Sequence, residues 1–169
     1  MNTATILVYI DGLPVGKERH RDKEHRTPGR TRSYQSHVAA AVRSAAGGLQ
    51  QFDGLVETRI TAVWPRPIRR PSFVSPDAWA TGRRTFSSSG VDLDNVIKAT
   101  WDGVNQSGVW KDDCRVARSR EEQVYAAVGE RPHVELVIAA LADVVDRPDR
   151  AFVFEPTRAP APESLAPVL

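Results

Sequence analysis

Four aspartates in the middle of the chain are the residues best suited to chemistry: Asp92 and Asp94 in the run DLDN, and Asp112 and Asp113 in WKDD. Carboxylates gathered on structured elements repel one another unless a cation sits between them. Hard oxygen donors in this number suit Mg2+ or Mn2+, which bind through a few carboxylates and keep waters for a phosphate substrate. The chemistry implied is metal-assisted cleavage of a phosphodiester. Lys98 follows Asp94 by four residues, which places both on one face of a helix.

The elements that must position these groups can be read around them. Residues 95–106, NVIKATWDGVNQ, carry Ile97, Trp101 and Val104 at helical spacing, with Asp94 expected at the N-cap and Gly108 as the stop. In the extended approach to that helix Asp92 and Asp94 project the same way, with Leu93 turned inward. Asp94 then lies at the positive end of the helix, where backbone N–H groups steady a carboxylate. Residues 109–127 read as an extended segment, irregular around Arg118–Glu122. Strict alternation there puts Trp110, Asp112, Cys114 and Val116 on one face and Lys111, Asp113 and Arg115 on the other. With Trp110 and Val116 inward, Asp113 faces the site, Asp112 sits at the edge, and Cys114 is an inert buried thiol. Taken singly, each residue has a plainer reading: Asp94 as a cap, Lys98 as the salt-bridge partner of Asp94 and Asp102, Asp112–Asp113 as a solvated turn. Their combination points to a site.

The remaining elements are a strand at residues 4–10, a basic surface loop at 17–32, and a helix at 33–47 capped by Ser33 or Ser36. Val38, Val42 and Ala45 or Ala46 are its buried stripe. A half-buried strand follows at 54–64, then a long loop at 65–91, and a strand at 133–141 begins with a structural His133. Trp64, Trp101 and Trp110 are expected in the core, and Trp79 either stacks on a base or fills a dimer contact. Residues 1–154 are expected to form one domain and 155–169 a disordered Pro/Ala-rich tail.

The bulk properties narrow the class. No apolar run approaches the ~20 residues of a membrane span, and the N-terminus reads as a strand and not a signal peptide. A cytoplasmic protein is expected. A single cysteine excludes an internal disulfide and a thiolate zinc cluster. No glycine-rich phosphate loop is present, so no nucleotide cofactor is expected. The net charge of +2 hides an asymmetry: residues 1–70 hold 12 Lys/Arg against 6 Asp/Glu, and residues 92–169 hold 9 against 14. Positive charge beside an acidic site is what a nuclease needs, since DNA affinity comes largely from phosphate contacts. Arg19, Arg21, Lys23, Arg26, Arg30, Arg32, Arg69, Arg70, Arg83 and Arg84 are the candidate phosphate contacts.

The stretch DLDNVIKATWDGVNQSGVWKDDCRV resembles the signature of the RusA-type Holliday junction resolvases, found in bacteria and often encoded by phages and prophages. That pattern is Asp-x-Asp-Asn opening a helix, a Lys four residues after the second Asp, and an Asp-Asp pair at the start of the next strand. The resemblance implies a small α+β domain, a mixed sheet flanked by two helices, assembled as a homodimer. It implies Mg2+, with Mn2+ as a substitute, held by Asp92, Asp94 and Asp113, with Asp112 a weaker ligand. Lys98 becomes the catalytic or DNA-contacting lysine and Asn95 a motif residue. The implied activity is endonucleolytic, with paired symmetric nicks in four-way DNA junctions. The loop at 71–91 is longer than in compact members and the tail is an addition. Two alternatives remain open on the sequence: a nuclease acting on flaps or forks, and a non-catalytic DNA-binding accessory protein with a degenerate nuclease fold.

Overall fold

The computed structural model describes residues 4–17, 28–88 and 90–141. The basic stretch with Arg19, Arg21, Lys23 and Arg26 and the expected tail at 155–169 lie outside these residues. Strand β1 (Thr5–Asp11) alternates in sequence and in burial: Ile6, Val8 and Ile10 are buried while Leu7 and Tyr9 stand in solvent. Helix α1 (Gly29–Ala46) begins four residues before the expected start. Neither serine caps it; Pro28 precedes the first turn, and Thr31 is already fully buried. Arg30 and Arg32 therefore belong to a helix and not a loop. Tyr34, Gln35, Val38, Ala39 and Val42 continue the buried stripe, and Gly47 ends the helix in a left-handed conformation open to glycine (φ 56°).

Strand β2 (Val56–Trp64) is the central strand, so it is buried more fully than a half-buried reading allows. The segment after it is not a structureless loop. It contains a short helix α2 (Pro76–Ala80), capped by Ser75 Oγ accepting from Ala78 N–H at 3.1 Å, and a two-residue strand β3 (Thr85–Phe86). Helix α3 (Leu93–Ser107) follows, then a 3-10 turn (Asp113–Arg115), strand β4 (Val116–Tyr125) and strand β5 (His133–Ala140). The ladder of β4 is regular through Arg118–Glu122; the irregular part lies before it, at 109–115.

The five strands form one mixed sheet in the order β1-β5-β2-β4-β3, with β2 and β4 parallel and the other neighbours antiparallel. Register aligns Ile6, Ile138 and Thr58, Val8, Leu136 and Ile60, and Ile10, Val134 and Ala62 in three cross-strand rows on one face. Helices α1 and α3 lie over this face and add Tyr34, Val38, Val42, Ala99 and Val104 to the core. The fold is therefore α+β, one mixed sheet with two long helices, as expected, plus the short α2.

Helix α3 is the crossover between the parallel strands β2 and β4, and that role positions the site. Its first turn meets the end of β2, where Val91 and Val96 join Trp64 and Tyr125. Its last turn leads through Trp110, bridged to Phe52, back to the start of β4. The two helices touch at Gly103: a Cβ there would lie 2.6 Å from Val38 Cβ and 2.9 Å from the Gln35 carbonyl oxygen. Close approach is bought by the missing side chain.

Candidate active site

The N-cap of α3 is Asp92, and Asp94 stands within the first turn, two residues later than a cap. The correction follows from Leu93, which already has helical geometry. Asn95 Nδ2 donates to Asp92 Oδ2 at 3.4 Å, and Lys98 Nζ donates to Asp94 Oδ2 at 2.9 Å. The Lys98 bond holds the Asp94 carboxyl below its ordinary range, so it is anionic at neutral pH. Both side chains are exposed, leaving oxygen donors within reach of a phosphate-bearing ligand.

Asp112 and Asp113 are not on a strand. Asp112 Oδ1 accepts from the Cys114 N–H at 3.0 Å, and this capping bond winds 113–115 into the 3-10 turn. That bond, first of all, lowers the Asp112 carboxyl. The alternation expected at 109–116 is lost there, which is why Cys114 is exposed and not buried with Trp110. Asp113 is half-buried; burial, then the neighbouring Asp112, pushes its carboxyl up. Among more distant charges, Asp102 acts on Asp113 in the same direction and Lys17 against it. The turn that carries Asp113 packs against α3.

Exposed carboxylate oxygens fit a hard divalent cation. Mg2+ needs only one or two protein carboxylates when substrate phosphate and water complete its shell. Asp92, Asp94 and Asp113 are the carboxylates free to supply them. Asp112 has one oxygen committed to its cap.

The candidate phosphate contacts divide. Arg30, Arg32, Arg69, Arg70 and Arg83 are exposed. Arg70 Nη1 turns back to the carbonyls of Pro71 and Val74. Arg84 is held differently, bonded to Glu130 and to Glu135 at 2.7 Å, with His133 Nε2 3.3 Å away. Its guanidinium, expected to grip DNA, is engaged in an ion-pair network on the sheet face opposite α1 and α3. The ligand atoms of Glu130, His133 and Glu135 lie within 4.8 Å of one another, as a metal site would require. The guanidinium already supplies the positive charge there. This network went unnoticed in the sequence, although His133-x-Glu135 on a strand does place both side chains on one face. Trp79 has the Arg66 guanidinium 3.5 Å over its ring, so one face of the indole is taken within the chain.

A crossover helix opening on paired carboxylates, with a lysine bonded to one of them and a second acidic pair before the next strand, defines a nuclease-like acidic site on an α+β sheet. The chain matches the endodeoxyribonuclease RusA family over residues 11–139 and belongs to that family. No curated protein matches it. Membership implies an endodeoxyribonuclease that acts on Holliday junctions. No helix among the described residues is long and apolar enough to cross a membrane.

Proposed function

We propose that the chain is a Mg2+-dependent endodeoxyribonuclease that resolves Holliday junctions and related branched DNA by paired symmetric nicks, acting in the cytoplasm as a homodimer. The observation that carries this reading is the DLDN turn of α3, with Asp92 and Asp94 exposed at the helix start and Lys98 bonded to Asp94 at 2.9 Å. Asp92, Asp94 and Asp113 would hold the cation, with Asp112 in a lesser part. When bound, Mg2+ supplies Lewis-acid stabilisation of the phosphate and a more acidic water. Lys98, balanced against Asp94 in the free chain, turns to the non-bridging oxygens as charge develops on the phosphorus. The first turn of α1, with Arg30 and Arg32, and the exposed Arg69, Arg70 and Arg83 bind flanking phosphates, joined by Arg19, Arg21, Lys23 and Arg26.

Symmetric cuts need two centres, and one chain supplies one. The sheet face away from the helices exposes Leu7 and Tyr9 on the edge strand β1, apolar area that a second copy related by a two-fold axis would cover. The test is a gel assay on a synthetic four-way junction with and without Mg2+, beside linear duplex and flap controls. Mg2+-dependent cutting of the junction alone supports the reading. Equal cutting of flaps would replace it with a flap or fork nuclease, and no cutting with a binding protein.

A further inference from the structure

Lys17 is fixed against the catalytic helix at both its backbone and its side chain. Its N–H donates to the Asn95 carbonyl at 2.8 Å, and its ammonium lies 2.8 Å from Asp102 Oδ2. Gly16 before it is laid directly on the DLDN turn: a Cβ there would fall 2.7 Å from Val91 Cγ1 and 3.4 Å from Asn95 Cβ. On the other side Gln35 Nε2 donates to the same Asp102 oxygen at 2.9 Å, and Gln106 Nε2 donates to Gln35 Oε1 at 3.3 Å. Three segments, the link after β1, helix α1 and helix α3, thus converge on one carboxylate.

An isolated surface ion pair contributes little to stability, so pairing alone would mean nothing. The placement is what matters. Asp94, Lys98 and Asp102 follow one another at four-residue spacing on α3. Lys98 bonds back to Asp94, and Asp102 takes Lys17, giving two Asp–Lys pairs along the helix that carries the site. Lys17 and Asp102 are also the charges, after Asp112, that bear on Asp113. An ammonium has three donors, and Asp102 occupies one of them.

We propose that Lys17 is a second phosphate-binding lysine of the active site, and that Asp102 and Gln35 are the positioning residues that hold it where the DNA backbone meets Asp113. This rests on reading the acids as a nuclease centre. The ligand is a phosphodiester, bound through its non-bridging oxygens. In the free chain the same ammonium offsets the repulsion between Asp102 and Asp113 and opposes a metal arriving there.

The test pairs a binding measurement with a kinetic one, both on the full chain. Mn2+ titration without DNA, followed by the electron paramagnetic resonance of the free ion, should show Lys17→Met binding about threefold to tenfold tighter than wild type, because a competing cation is gone. Single-turnover cleavage of a four-way junction at saturating protein and metal should fall by roughly tenfold or more, with junction affinity within about threefold. Lys17→Arg should retain most of the rate. Lys17→Met should cost nothing further in an Asp102→Asn background, since the positioned ammonium is already lost. Unchanged Mn2+ affinity and unchanged cleavage would reduce the pair to a surface salt bridge and overturn the proposal. A loss of junction binding as large as the loss of cleavage would overturn it too, leaving Lys17 an ordinary backbone contact. Should Lys17→Met fail to fold by its thermal melt, Lys17→Gln, which is uncharged but keeps a hydrogen-bond donor on a shorter unbranched stem, takes its place. A wild-type chain that bound Mn2+ and cut no DNA would sink the nuclease reading and the phosphate-binding role of Lys17 with it, whereas a cutting wild type with an unaffected Lys17→Met would overturn the Lys17 claim alone.

Discussion

Replacing Arg84 by Met should destabilise the fold and leave DNA binding intact, the reverse of what an exposed phosphate-gripping arginine would do. The side chains of Arg84, Glu130 and Glu135 are 34%, 21% and 34% exposed, between a surface pair and a buried one. Breaking a buried pair costs about 3–5 kcal/mol, and a fully exposed pair about 0–1 kcal/mol. Burial alone would raise the Glu135 carboxyl, yet hydrogen bonds from His133 and Arg84 hold it at about 2 against an ordinary 4.5. Taken whole, that shift corresponds to roughly 3 kcal/mol. With a third of the side chain in water and His133 sharing the effect, about 1.5–2 kcal/mol falls to Arg84. For a domain of this size the thermal midpoint should drop by roughly 4–6 °C. The sign with pH is fixed: the folded carboxyl titrates below the unfolded one. The stabilisation is therefore complete above the unfolded carboxyl range and fades as pH falls toward about 2. Circular-dichroism melts of wild type and Arg84→Met should differ most near pH 7, and by about pH 3 less than half of the gap should remain. A midpoint shift under about 1 °C, together with weaker and less salt-sensitive junction binding, would refute the network and return Arg84 to the DNA.

Gly103→Ala should cost about 2–3 kcal/mol in urea unfolding, despite a helix preference of roughly 1 kcal/mol in its favour, because its Cβ meets the Gln35 backbone and Val38. Lys98→Ala should slow single-turnover cleavage by roughly a hundredfold while gel-shift affinity changes little, since one lysine is a small part of a many-phosphate footprint. Replacing Arg19, Arg21 and Arg26 together should flatten the slope of log K against log salt by about two to three; an unchanged slope would make that stretch a solvated surface.

What was legible in the sequence follows from how local each feature is. Helix α3 shows because its apolar period and Gly108 are written in one stretch, and the DLDN and DD spacing survives intact across it. Its cap was misplaced because Leu93 reads equally as the last extended residue or the first helical one. The start of α1 was missed because GRTR looks like a polar loop; the burial of Thr31 is a tertiary fact. The segment 65–91 owes its order to bonds that cross it and bonds that leave it. Arg66 donates to the carbonyls of Trp79, Arg83 and Ala126, and Arg84 reaches Glu130 and Glu135. No periodicity within the segment announces those bonds. Within the site, the paired identities of Asp94 and Lys98 were readable at helical spacing, whereas Lys17 and Asp102 meet only through the fold. The faces assigned to Asp112, Asp113 and Cys114 failed because one capping bond turned a presumed strand into a 3-10 turn.

The most direct test of the account is single-turnover cleavage of a four-way junction in Mg2+ by Asp92→Asn, Asp94→Asn and Asp113→Asn, with junction affinity measured alongside. Each change removes a ligand's charge and keeps its volume. The account predicts that cleavage is abolished in all three while binding is unchanged or tighter, because negative charge facing DNA has been removed. Near wild-type cleavage by any one of them would contradict the assignment of that aspartate, and by Asp94→Asn the claim that the start of α3 is the catalytic centre.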